Sequence, residues 1–308
     1  MRKPLRLWQL VLLVLTGCGL VLGGLYWRQS RSITNLGQLL ARLPADRAVV
    51  AALDVKSLRT AGVLDLIAGA RGIEELDYQN FVRETGFDYR EDLDYIAAAF
   101  DSEHKYFLLK GRFNWTQLNR YAKAKGGSCL NGFCSVRGSL PTRNISFFPA
   151  STDVLALAVG YAPRAAYTLM PSDRPENGIQ IPTEPFWVTL PGPLLSANAT
   201  LPDGVKAFAS ALSGAERVTM AVDAGATGFS ASLRAECPGP KQAEEVRDRL
   251  RMLTDVLTKM IQRSGQQPNP EDLSGVLTAG QFEADGSTVT GKWPIPRTLL
   301  EAISAGTL

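Results

Sequence analysis

The chain has a single histidine, His104, and only four cysteines, Cys18, Cys129, Cys134 and Cys237. That scarcity removes most site chemistry at the outset. Hydrolysis through Ser-His-Asp or Cys-His would need His104 as base, yet it falls in an expected hairpin tip over 101–105, and no Gly-x-Ser-x-Gly turn exists. The expectation there is a solvated loop histidine. Tetrahedral zinc ligation fails for want of a second Cys/His pair beside Cys129 and Cys134. Phosphate cradles are also missing: there is no Gly-x-x-x-x-Gly-Lys-Ser/Thr loop, and no Gly-x-Gly-x-x-Gly follows a strand. The formal net charge of +3 is spread among interspersed acids, so no nucleic-acid surface is expected. No catalytic residue, metal or cofactor is assigned on these grounds.

The densest acidic group is Asp88, Glu91, Asp92 and Asp94. It lacks the alternating Asp/Asn spacing and central glycine of a calcium loop, so helix or turn capping beside Arg90 is expected. Carboxylate-only hydrolysis uses two acids that can lie far apart in sequence. An extracytoplasmic hydrolase working through paired carboxylates is therefore kept as the alternative function.

What the chain does have is an uncharged run over residues 7–27, LWQLVLLVLTGCGLVLGGLYW. Arg2, Lys3 and Arg6 precede it, and Arg28 and Arg31 close it. Twenty-one residues are about the length that crosses a hydrocarbon layer of roughly 30 Å as a helix. Tyr26 and Trp27 fit an interfacial aromatic belt. We read an uncleaved signal anchor at 7–27 with a cytoplasmic tail at 1–6, which makes membrane lipid the first partner. The location that follows is the inner membrane, single-pass, with the bulk of the chain extracytoplasmic. The basic residues on both sides leave little positive-inside bias, and the short tail sets the orientation. Leu15-Thr16-Gly17-Cys18 resembles the lipobox of bacterial lipoproteins, which implies lipidation at Cys18 and a lipoprotein as the alternative. Ordinary cleavage is the third reading. The apolar stretch continuing through Leu20, Val21, Leu22 and Leu25 favours the full span.

Cys129 and Cys134 flank Asn131-Gly132, a dipeptide suited to a type I′ turn because both its central residues need positive φ. With that loop, Leu130 and Phe133 close the turn and the cysteines form the next, non-hydrogen-bonded pair. Their Cα atoms then lie about 4.5 Å apart, within disulfide range. Such a bond persists in an oxidising space. Cys237, beside Pro238, is expected as a buried or free thiol.

Hydrophobic content of 45% with 20% charge marks a folded body, and its length suits two domains. A tether at 28–45 turns helical near Asn35, with Leu36, Leu39, Leu40 and Leu43 on one face. The first unit, 46–170, reads as a buried strand at 47–54, a helix capped by Ser57, and a helix over 74–84 with Leu76, Phe81 and Val82 inward. A hairpin over 93–113, a helix over 115–125 capped by Asn114, the cysteine hairpin, strands at 144–148 and 154–159, and a short helix from Pro163 complete it. Proline and glycine mark a linker at 171–183. The second unit, 184–308, repeats the order: strand, helix, hairpin, the long helix 241–263, hairpin, and a closing helix from Pro296. The long helix carries Ala243, Val246, Leu250, Leu253, Val256, Leu257, Met260 and Ile261 as a core stripe.

The fold class expected is α+β, an N-terminal transmembrane helix followed by two similar antiparallel sheet-plus-helix modules, each with helices on one face. In this layout the chain resembles uncharacterised bacterial membrane-anchored cell-envelope proteins. The function expected is a non-catalytic binding or scaffolding protein of the bacterial envelope, taking another envelope protein or a small apolar ligand in the groove between copies. Three Asn-x-Ser/Thr sequons, at Asn114, Asn144 and Asn198, carry no weight beside a bacterial signal.

Overall fold

The computed structural model describes residues 36–64, 76–138, 140, 143–171, 179–195, 203–225, 228–269 and 272–299. The run 7–27 with Cys18, the linker residues 172–178 and most of the closing helix lie outside the described residues. No described helix is long and apolar enough to cross a membrane.

The chain runs α1 (Leu36–Leu40), β1 (Val49–Asp54), α2 (Val55–Thr60), α3 (Leu76–Thr85), α4 (Tyr89–Asp92), β2 (Leu93–Phe100), β3 (Lys105–Gly111), α5 (Trp115–Ala124) and β4 (Ser128–Leu130). Next come β5 (Phe133–Arg137), β6 (Asn144–Pro149), β7 (Val154–Gly160) and a 3-10 turn (Ala165–Leu169). After them follow β8 (Phe186–Pro191), α6 (Gly192–Leu195), α7 (Asp203–Ala211), β9 (Arg217–Gly225), β10 (Gly228–Glu236), α8 (Pro240–Arg263), α9 (Leu273–Thr278), β11 (Gln281–Asp285) and β12 (Thr288–Ile295). Among the described residues all twelve strands join one sheet, in the order β11-β12-β10-β9-β8-β1-β2-β3-β7-β6-β5-β4. Every pairing is antiparallel.

Residues directly opposite in an antiparallel ladder share a face, so the register sorts the side chains. One row runs Phe147, Leu157, Phe107, Ala98, Ala51, Val188, Met220, Leu233, Gly291 and Phe282. We call its face the front. On the front, α2 buries Val55 and Leu58 against Leu53, Ile96 and Leu109. Further out on that face, α5 buries Ala122 against Cys134, Phe147 and Leu155. In the second half of the front, α8 packs Ala243, Val246 and Leu250 on Leu233, Ala235, Phe282 and Val289.

The neighbouring row lies on the back and changes character midway. It runs Ser146, Ala158, Tyr106, Ala99 and Val50, all buried, and then Thr189, Thr219, Arg234, Thr290 and Glu283. Beneath the first half of that face, α1 and the 3-10 turn pack Leu39, Leu40, Ala166 and Leu169 onto Val50, Ala52, Ala97, Ala99, Ala156 and Ala158. The alanines let these segments lie close to the sheet. In the second half, Arg234, Thr290, Lys292 and Glu283 are exposed, giving an alternation of apolar-in and polar-out residues.

Two parts of the expected layout are corrected. The sheet is continuous, because β1 pairs with β2 on one edge and with β8 on the other, from Val50↔Thr189 to Leu53↔Phe186. An unpaired β1 would leave an apolar edge open to association. Helices also cover both faces of the first half, not one. Locally, Asp54 caps α2 by accepting from Ser57 N–H at 2.8 Å, so Ser57 is the capped residue and not the cap. Leu76, expected inward, is 75% exposed. The stripe on α8 is buried only as far as Thr254; Val256 and Met260 are exposed at 46% and 61%. A helix of 24 residues is about 36 Å long, and among the described residues nothing buries its stripe beyond Thr254.

Both sheet edges are short. β4 has three residues, and β11 carries Gln281, Glu283 and Asp285 with Arg251 of α8 donating to the Phe282 carbonyl at 2.6 Å. Short, charged edges resist edge-to-edge growth.

Candidate functional site

Cys129 and Cys134 are opposite in the β4–β5 register and bonded, with Cα atoms 4.1 Å apart. Asn131 and Gly132 hold φ of 50° and 82°, as a type I′ turn requires. Closing so small a loop stabilises by about 2 kcal/mol in the chain-entropy argument. Cys237 is a buried free thiol, and burial pushes it up from its ordinary pKa. His104 is less solvated than expected: its side chain is 16% exposed, stacks on Tyr106 and lies 3.8 Å from Asp101. A Cβ on Gly160 would meet the imidazole at 2.2 Å, so glycine there makes room for the ring. Among the described residues, Ser102 of the turn itself is the one serine or cysteine that lines the pocket around it.

Asp88 and Asp92 of the acidic group are spent on structure. Asp88 caps α4 through Arg90 N–H and accepts from the Tyr78 hydroxyl at 2.8 Å. Burial, then that bond, pushes the Tyr78 phenol up. Asp92 pairs with Arg112 at 2.9 Å. Among the described residues no group of three or more His, Cys, Asp or Glu is placed to hold a metal ion.

The seam between β1 and β8 is where the two halves of the chain meet, and a hollow of ≈ 650 Å³ lies on its back face. The turn before β1 supplies Ala45, Asp46, Arg47 and Ala48; β1 itself gives Val50. The second half contributes Thr189, Pro191, Pro193, Leu194, Glu216 and Arg217, and Ile179 comes from the connection. Ala48, Val50 and Thr189 are buried and form the floor, whereas Asp46, Arg47 and Glu216 are exposed at the mouth. Pro191-Gly192-Pro193 shapes one wall: Gly192 N–H donates to the Glu216 carbonyl at 2.7 Å, and a Cβ there would meet the Ala215 carbonyl at 2.1 Å. Only glycine permits that approach.

The floor is rigid. Thr219 donates to Thr189 at 3.0 Å, and Thr189 donates to the Val218 carbonyl at 3.3 Å, so both buried hydroxyls are satisfied. Beside them Trp187, 1% exposed, lies between Ala52 and Ala221 across the ladder. Its indole N–H donates to the Tyr95 phenol, which burial and the neighbouring Asp54 push up. The hollow's residues come from segments far apart in the chain. The Pro-Gly-Pro break at 191–193 was their one visible signal.

On the front of the same seam, Phe186 and Met220 are 38% and 40% exposed. The seam thus shows apolar side chains on one face and a half-lined hollow on the other.

No protein-family model matches the chain, and no curated protein matches it. Among solved structures, crystal form IV of TP0453 aligns at 11% identity with a TM-score of 0.49, covering 90% of this chain and 98% of that one. Crystal form I of TP0453 aligns at 12% identity and TM-score 0.48, with 87% and 97% covered. Crystal form III gives 11% identity and 0.44, with 89% and 99% covered. Likeness of this order carries no argument about what the present chain binds.

Proposed function

We propose that the protein is a non-catalytic, membrane-anchored extracytoplasmic binding protein of the bacterial envelope. In this reading the run 7–27 holds it in the inner membrane, and the hollow at the β1–β8 seam takes a small amphipathic molecule. The hollow carries the proposal: its volume lies in the range of small-molecule sites, its floor is apolar with one hydroxyl, and its mouth is charged. An alkyl chain laid along Ala48, Val50 and Leu194 would leave a carboxylate near Arg47 and Arg217. The repeated topology supports reading the body as a duplicated module. Among the described residues the strand order outward from the seam is β1-β2-β3-β7-β6 on one side and β8-β9-β10-β12-β11 on the other, with the cysteine hairpin β4–β5 added to the first.

Laurate is a suitable probe. Native mass spectrometry of the full chain, released from detergent micelles after incubation with laurate, is expected to show one retained molecule. Ala48→Phe, which fills the floor, and Leu194→Trp, which narrows the wall, are each expected to abolish retention while thermal unfolding shows the fold intact. Retention unchanged in both folded variants, or none by the unmodified chain, would overturn the proposal. Asp46 and Glu216 line the same hollow, which is the one observation favouring the paired-carboxylate hydrolase. That alternative requires Asp46→Asn or Glu216→Gln to remove a turnover that the unmodified chain displays.

A further inference from the structure

We infer that the back face of the second half carries a separate site for an anionic, hydroxyl-bearing ligand such as a sugar phosphate or a uronate. The register places two polar rows side by side there. Thr219, Arg234 and Thr290 are opposite one another across β9, β10 and β12, and Ser232 and Lys292 are opposite in the next row. Arg234 and Lys292 are therefore diagonal neighbours on one face, within reach of each other's long side chains. Both are exposed. Connection residues 180–184 cross this face and wall in a pocket of ≈ 360 Å³ lined by those five side chains and Glu184. That volume exceeds the need of a bare ion and suits a monosaccharide carrying one.

Charge and hydrogen bonding select the ligand. Like charges on neighbouring strands repel, and among the described residues Arg234 pairs with Glu236 at 3.7 Å along its own strand, while exposed Glu283 is diagonal to Lys292 on the same face. An oxyanion between Arg234 and Lys292 converts that repulsion into two charge-assisted hydrogen bonds. The Thr290 and Ser232 hydroxyls lie in the same two rows and can donate or accept. Glu184, whose Oε1 is 3.4 Å from Ser232 Oγ, offers an acceptor to ligand hydroxyls and opposes a second negative charge. The site differs from the seam hollow: they share no lining residue, and the buried Thr189–Thr219 bond lies between them.

Isothermal titration of the full chain in detergent micelles with glucose 6-phosphate, glucuronate, inorganic phosphate and glucose tests the inference. Either glucose 6-phosphate or glucuronate is expected to bind, the arm that binds naming the oxyanion. Arg234→Gln with Lys292→Gln should weaken binding about tenfold or more, roughly the loss of one good charged contact, and added salt should weaken it further. Both variants lie on an exposed face, so folding should survive. Absence of binding by both anionic sugars, equal affinity for neutral glucose, inorganic phosphate binding as tightly as glucose 6-phosphate, or an unchanged affinity in the double variant would each overturn it.

Discussion

Replacing Trp187 by alanine is expected to lower the unfolding free energy by about 3–5 kcal/mol, the usual loss for a fully buried aromatic. Trp187 is 1% exposed on the strand that joins the two halves, with Ala52 and Ala221 opposite it on the flanking strands. The change also strips Tyr95 of its indole donor inside the fold. For a body of this size such a loss lowers Tm by roughly 10 °C. Thermal unfolding of the full chain in detergent, followed by circular dichroism, provides the check. A shift below about 2 °C would mean that the indole does not hold the seam, because surface substitutions alone stay within such limits.

The second large effect contrasts two positions on α8. Leu250→Ala should cost about 2–5 kcal/mol, since Leu250 is fully buried against the second-half core. Met260→Ala should stay within about 0.5 kcal/mol, since Met260 is 61% exposed. Urea unfolding of both variants in parallel gives the comparison directly. Comparable losses at the two sites would show that the end of α8 packs on something beyond the described residues.

That contrast also marks where sequence periodicity stops being informative. Three- and four-residue spacing located α8 and its apolar stripe, but spacing carries no information on how far the sheet beneath extends. The cysteine hairpin was legible to the residue because Asn131-Gly132 fixes its turn and hence its register. Helix α5 was legible through Asn114, which accepts from Gln117 N–H at 3.1 Å. Asp54 was misread because it ends β1 and caps α2 at once, leaving Ser57 as the more visible capping type.

The seam was not legible for a different reason. Alternation along β8 identifies its two faces but not its partners, and pairing with β1 brings together residues more than 130 positions apart. The hollow depends on that pairing, as does the juxtaposition of Ala48 with Leu194. On the back face of β10 and β12, only the ladder sets Lys292 diagonal to Arg234.

The account turns on the folded body lying on the oxidising side of the membrane, with Cys129 and Cys134 joined there. Alkylation of rapidly quenched intact cells, followed by unfolding and mass analysis of the full chain, measures this most directly. The account predicts that Cys129 and Cys134 stay unmodified until a reductant is added, while Cys237 labels once the chain is unfolded. Labelling of Cys129 and Cys134 without reductant would contradict it.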